Sequence, residues 1–224
     1  MMHRPIITIA LLLAVSGATA QTRQQWRDSL EVLSQQIRRQ PSNISLRLKK
    51  AEANINLEQW DYAIAEYGDI LRLDPKNLAA LYFRAFVHYN QHHYDLARVD
   101  YETFLSISPD HFEARLGLAH VIEKMGRKAE TADALNRLVQ QFPDSATAYA
   151  ARAAYEVEQK QYEVALYDWD EAIRLRPEDT GFMVSKVDVL LQLGRKKEAL
   201  QVLRDAVRRG VPSSALKEWF DKCR

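Results

Sequence analysis

Three groups of side chains in this sequence have residue types that could do chemistry. His88 and His92 stand four apart, with His93 next. On a helix, residues at that spacing share a face and could present two imidazoles to a metal ion. No acidic or third ligand is fixed by spacing, so no metal site follows. Asp168, Asp170 and Glu171 flank Trp169. Paired carboxylates can act as general acid and base, but only where their surroundings separate their pKa values. Nothing near them in the sequence does so. With Trp169 turned inward, these acids are expected to face solvent. Cys223 is the single cysteine, which excludes an intramolecular disulfide and a two-cysteine metal site. Its thiol could pair between molecules or sit inert on a frayed terminal helix, and both readings stay open. Past residue 20 there is no GxSxG, HExxH, CxxC or glycine-rich phosphate loop, and the seven glycines are scattered. The expectation is a protein that is not an enzyme, with no cofactor and no metal.

Composition excludes other classes. The 224 residues are 47% hydrophobic and 27% charged, which rules out a collagen-like, mucin-like or mainly disordered chain. Lys and Arg number 31 against 30 Asp and Glu, a formal charge of +1. That balance offers no electrostatic reason to expect nucleic acid.

The first twenty residues, MMHRPIITIALLLAVSGATA, place Arg4 before an apolar run over 6–15. Ala18-Thr19-Ala20 then matches a small-x-small cleavage site, the layout of a secretory signal peptide. The run is shorter than the roughly 20 residues that span a bilayer. The mature chain is expected to start at Gln21, to carry no transmembrane segment and to be exported. A short leader without a cysteine framework suits a bacterial periplasm. Asn43-Ile44-Ser45 matches a glycosylation sequon that would be inert there.

The elements that must position any site are set by proline. Past the leader, Pro41, Pro75, Pro109, Pro143 and Pro177 are each 34 residues apart, and Pro212 follows 35 later. Proline ends a helix because it lacks an N–H and clashes with the preceding turn. A helical unit therefore ends every 34 residues. Aligned on these prolines, small residues recur at Ala51, Ala85, Ala119 and Ala153, and again at Ser29, Ala63, Ala97, Thr131, Ala165 and Ala199. Bulky ones recur at Leu33, Tyr67, Tyr101, Leu135, Trp169 and Leu203. Small and large residues alternating at helical spacing let antiparallel helices pack closely.

In this pattern the sequence resembles the tetratricopeptide repeat family, whose helix-turn-helix unit has the same period. Ala51…Ala63…Tyr67…Pro75 and Ala153…Ala165…Trp169…Pro177 carry the resemblance. It implies an all-α, right-handed superhelical solenoid. After a signal peptide at 1–20, one solenoid would occupy 21–224. It would comprise an N-terminal half repeat at 23–43, repeats at 44–77, 78–111, 112–145, 146–179 and 180–213, and a capping helix at 213–222 begun by Ser213 as N-cap. Gly126 and Gly194 would mark turns between paired helices. His88 would be buried between helices, with His92 and His93 in the turn. The sequence departs from the family where Lys50, Arg84, Arg152 and Lys186 stand in place of the usual leucine, where Arg47 and Arg115 stand near the start of the first helix, and at Thr131.

The family holds protein or peptide partners in a concave groove lined by its first helices. The resemblance therefore implies a non-enzymatic scaffold or adaptor, here of the cell envelope. The alternative is a glycan- or peptidoglycan-binding module that stacks sugars on exposed aromatics. Oligomeric state stays open. Groove positions map onto Ser45, Leu48, Lys49, Glu52, Ile55 and Asn56 in the first full repeat. They map onto Glu113, Leu116, Gly117, His120, Glu123 and Lys124 in the third, and Thr147, Ala150, Ala151, Ala154, Val157 and Glu158 in the fourth. This mixed or acidic set is not a cationic clamp for acidic peptide tails. The second repeat opens with LAALYFRAFVHYN over 78–90, a helix apolar on nearly every side. Leu81, Ala85 and His88 would face its own partner helix. Tyr82, Phe83, Phe86 and Tyr89, ending in Asn90, would point elsewhere and form the binding surface. Glu52, Ile55 and Asn56 on one side, and His120, Glu123 and Lys124 on the other, would be its walls.

Overall fold

The computed structural model describes residues 22–224, so the expected leader and its cleavage site lie outside the described residues. The elements are α1 (Arg23–Arg39), α2 (Ile44–Asn56), α3 (Trp60–Leu73), α4 (Leu78–Asn90), α5 (Tyr94–Ile107), α6 (Phe112–Lys124), α7 (Lys128–Gln141), α8 (Ala146–Glu158), α9 (Tyr162–Leu175), α10 (Thr180–Gln192) and α11 (Lys196–Arg208). A 3-10 turn (Ser213–Leu216) and α12 (Lys217–Lys222) close the chain. The described residues contain no strand, and each helix packs chiefly on the next in sequence. The chain is a solenoid of helical hairpins.

Local chemistry repeats with the hairpins. The first helix of each is capped by a side chain accepting from its first turn: Asn43 for α2, Asn77 for α4, Ser145 for α8 and Asp179 for α10. His111 does the same for α6 through Nδ1. The turn inside each hairpin passes through the left-handed region. Gly126 and Gly194 take it at φ of 74° and 71°, but Glu58, His92 and Lys160 hold it at 60°, 60° and 62°. Glycine adopts this conformation without steric cost, whereas other residues do not.

The small residues sit at helix crossings. Ala51 and Ala63, Ala85 and Ala97, Ala119 and Thr131, and Ala153 and Ala165 are all sealed from solvent. The Thr131 hydroxyl donates to the Arg127 carbonyl at 3.0 Å, so its burial leaves no polar group unpaired. Tyr67, Tyr101, Leu135, Trp169 and Leu203 fill the space between each pair of helices. Toward the ends the core thins: α1 buries only Ile37, and α12 buries no residue. Ser213 does not cap a helix as expected. Pro212, at φ −58° and ψ 129°, leads into the 3-10 turn, and α12 starts at Lys217 with no side-chain cap. The tight turn drives Leu216 fully into the terminal core, and the Trp219 indole donates to Asp188 at 2.9 Å to tie α12 to α10.

Three of the basic departures from the family pattern, Lys50, Arg84 and Arg152, have acidic partners in the same hairpin, while Lys186 reaches back to Asp170 of the preceding one. Arg84 makes a two-pronged contact with Asp100 at 2.8 and 2.6 Å. Arg152 grips Asp168 in the same way at 2.6 and 2.7 Å. Lys50 reaches Glu66 at 2.7 Å, with Arg47 on its second oxygen at 2.9 Å. In all three hairpins the acid stands sixteen residues after the base. Asp168 is thus fully buried, which corrects the expectation that it faces solvent. Asp170 is exposed and pairs with Lys186, while Glu171 pairs with Arg174 at 2.8 Å. The same three hairpins also place a buried polar residue four further along the first helix: Asn54, His88 and Glu156. The third full hairpin puts Leu118, Ile122 and Ala134 at these positions, and a cleft of about 350 Å³ lies over them, edged by Arg115 and Arg137. The first, second and fourth hairpins thus carry a polar set at these positions and the third an apolar one.

Candidate partner-binding face

Helix α4 contributes the aromatic row. Leu81, Ala85 and His88 are buried, as their spacing requires, and Val87 joins them. Tyr82, Phe83, Phe86 and Tyr89 are half-buried, and Asn90 is exposed. The four rings do not simply point away from their own hairpin. Tyr82 packs edge-on against Tyr101 of α5 at 5.8 Å and lies 5.9 Å from Phe104 and 5.8 Å from His111. Tyr89 lies 5.8 Å from Tyr94. Residues at these positions sit at the edge of the stripe that faces α5, so large rings there reach the partner helix. Phe83 stacks on Tyr67 at 6.3 Å and meets Tyr82 at 5.3 Å, and Phe86 packs on the core of the preceding hairpin. The result is a pre-formed aromatic platform from Tyr67 through Phe83 and Tyr82 to Tyr101.

Helices α2 and α6 flank α4 with only marginal contact between these first helices. Glu52 and Asn56 are exposed on α2 and Ile55 is half-buried. The Asn56 amide donates back to the Glu52 carbonyl at 2.9 Å, and Asn90 repeats the bond to Phe86 at 2.8 Å. These asparagines therefore finish their helices as well as edging the face. On α6, His120 and Glu123 are half-buried and contact at 3.3 Å, with Lys124 at 3.8 Å from the same carboxylate. Burial opposes ionisation of Glu123, but the His120 hydrogen bond and the charges of His120 and Lys124 outweigh it and hold the carboxyl below its ordinary range. Gly117 does not line the face. A Cβ there would fall 2.6 Å from the Tyr101 ring, so the glycine exists to admit that ring. Ala150 and Ala151 on α8 are also buried.

Carboxylates recur beside the tyrosines. Burial raises the pKa of Tyr67, with Glu52 adding to it. It raises Tyr82, with Glu113 adding, and pushes Tyr89 up to about 12, with Glu123 and Tyr94 adding. Tyr155, whose hydroxyl donates to the Lys128 carbonyl at 2.8 Å, is raised by burial and then by Glu123 and Glu158. Tyr67 and Tyr155 were absent from the sequence-based site. Both rings are buried and support the face from beneath, Tyr67 under Phe83 and Tyr155 through its bond to Lys128.

Chemistry elsewhere is sparse. The histidines do not converge: His88 is buried, 5.9 Å from the His93 ring, while His92 Nδ1 meets the Tyr94 hydroxyl at 2.8 Å. Among the described residues no cluster of three His, Cys, Asp or Glu could hold a metal. None of the described helices is long and apolar enough to cross a membrane. Cys223 is half-buried, and burial pushes its thiol pKa up.

Helical hairpins stacked in sequence order, with small residues at their crossings, define an α-solenoid of two-helix repeats. Two sequence models, each described as tetratricopeptide repeat, match residues 88–155 and 150–215, together more than half of the chain. The chain belongs to the tetratricopeptide repeat family. No curated protein matches it. A crystal structure of a tetratricopeptide repeat protein from Parabacteroides merdae is similar, with a TM-score of 0.65 and 20% identity, covering 90% of this chain and 78% of that one. MamA from Desulfovibrio magneticus is similar with a TM-score of 0.64 and 17% identity, covering 70% and 89%. YrrB, described as a TPR protein with an unusual peptide-binding site, has a TM-score of 0.58 and 17% identity, covering 80% and 92%.

Proposed function

We propose that this protein is a non-enzymatic scaffold that holds a protein or peptide partner of the cell envelope against the inner face of its first helices, centred on α4. One observation carries the reading. Four adjacent aromatics on α4 are only half-buried, although the rings beneath them fix their positions. Rigid, partly exposed aromatics with polar edges have the composition of interface hot spots. YrrB, similar in fold, is described as having a peptide-binding site. Export rests on the leader-like residues 1–20 and would place the partner in the periplasm.

A photo-crosslinking residue at Phe86 or Asn90, expressed in cells, tests this directly. Discrete protein adducts are expected there and not at Tyr167, which is exposed on α9. Equal labelling from both sites would remove the assignment. Adducts to glycan alone would favour the sugar-binding alternative.

A further inference from the structure

Arg47 and Arg115 occupy the same repeat position and are held alike, but they meet different neighbours. In the first full hairpin Arg47 donates through Nε to the Pro41 carbonyl at 3.0 Å, and its Nη1 reaches Glu66 at 2.9 Å and Asp69 at 2.6 Å. Two periods later Arg115 donates through Nε to the Pro109 carbonyl at 2.6 Å. The positions corresponding to Glu66 and Asp69 are now Ala134 and Arg137. The third hairpin therefore brings a second guanidinium where the first brings two carboxylates. Among the described residues neither Arg115 nor Arg137 makes an ion pair.

Both arginines edge the cleft of about 350 Å³ between α5, α6 and α7. Its floor is apolar: Leu105 comes from α5, while Leu118 and Ile122 replace Lys50 and Asn54 of the first hairpin. Three carboxylates also line it. Glu102 and Glu130 are held by Arg98 at 2.7 and 2.6 Å, and Arg127 adds to Glu130 at 3.4 Å. Asp133 is exposed and pairs with neither arginine. Once the bridged charges are set aside, two guanidiniums face one carboxylate, an excess of one positive charge at the rim.

We infer that this cleft binds a small organic acid of the fatty-acid class, one carboxylate on an apolar chain. The carboxylate would stand between Arg115 and Arg137, supplying what Glu66 and Asp69 supply to Arg47. Guanidinium forks receive a carboxylate through strong charge-assisted hydrogen bonds. The chain would lie on Leu105, Leu118 and Ile122 and gain from leaving water. A volume near the lower end of ligand sites suits a short chain. Arg98 crosses from α5 to α7 at Glu130, about two turns before Arg137 along α7, so the space suits a molecule that ends there more than a chain that runs on. No residue of α4 lines the cleft, and its occupancy does not depend on the aromatic platform.

Calorimetric titration of octanoate into the full-length protein tests this. Octanoate should bind, with 1-octanol and inorganic phosphate each at least tenfold weaker, because each offers only half of the ligand. Arg137→Asp, at an exposed position, returns to Arg115 the acid that the first hairpin has there, and should weaken octanoate at least tenfold. Arg204→Asp makes the same charge change at an exposed position of α11 and should leave binding as in the wild type. Thermal melting confirms that both variants are folded. Absence of octanoate binding, or equal binding by the Arg137→Asp variant, would overturn the inference. Phosphate binding as tightly as octanoate would overturn it too, since the apolar floor would then play no part. A leucine-terminated peptide that binds where octanoate does not would overturn it in favour of a chain terminus.

Discussion

Arg152 of α8 and Asp168 of α9 are joined by two parallel hydrogen bonds, and the carboxylate they secure has no exposure to solvent. A buried charge is tolerable only while its partner is present, because desolvation is costly and only close pairing offsets it. Removing one partner alone is expected to destabilise far more than replacing both.

Asp168→Ala should therefore cost about 3–5 kcal/mol. Arg152→Leu combined with Asp168→Ala recreates the Leu118 and Ala134 combination of the third hairpin and should recover most of that loss. Urea denaturation of the two single variants and the double variant measures the coupling. Additive losses would show that the pair is not a unit.

Glu156 makes stability depend on pH. Burial, with repulsion from Asp168 added and Arg152 opposing, raises its carboxyl to about 7. In the unfolded chain it titrates near 4.3. The native state thus binds the proton more tightly, and the contribution is complete below the unfolded value and lost as pH rises through about 7. Relative to Glu156→Gln, the wild type should lose roughly 1–3 kcal/mol between pH 5 and pH 8. Parallel stability curves for the two proteins would refute the assignment.

Gly117→Ala should destabilise by about 1–3 kcal/mol, because its methyl group would fall 2.6 Å from the buried Tyr101 ring. Combining it with Tyr101→Leu, the residue type at position 135 of the next hairpin, should relieve part of the clash. Thermal melts of the single and double variants decide it, and a neutral Gly117→Ala would place the ring elsewhere.

Lys160→Gly and Glu58→Gly should each stabilise by up to about 1 kcal/mol, since both residues hold a left-handed conformation that glycine adopts freely. Gly126→Ala should cost a similar amount. Melting temperatures that move in the opposite sense would count against strain at these turns.

Phe86→Ala should lower stability by less than the roughly 3–5 kcal/mol of a fully buried phenylalanine, the loss expected for Phe104→Ala, which is 3% exposed. Partner capture should nonetheless fall at least tenfold. Equal stability losses at the two positions with capture intact would make Phe86 a core residue and not a contact.

The hairpins were legible because their causes are local and periodic. Pro75, Pro109, Pro143 and Pro177 stop helices through their own covalent geometry, and Ala51, Ala85, Ala119 and Ala153 recur where crossings demand a small residue. His88 could be placed inside for the same reason. The aromatic character of α4 was also plain, though not which rings lean on α5.

Sequence alone determined the period, the all-helical class and the chemistry available to each face, since a 34-residue register converts position into direction. Tertiary structure alone decided which charges are inside. Lys50, Arg84 and Arg152 read as departures until their helices are folded against Glu66, Asp100 and Asp168, and Asp168 read as a surface acid until Arg152 closed on it. A charged residue has the same identity in water and in a core, and what permits its burial is a partner sixteen residues away, brought within hydrogen-bond reach only when the hairpin closes.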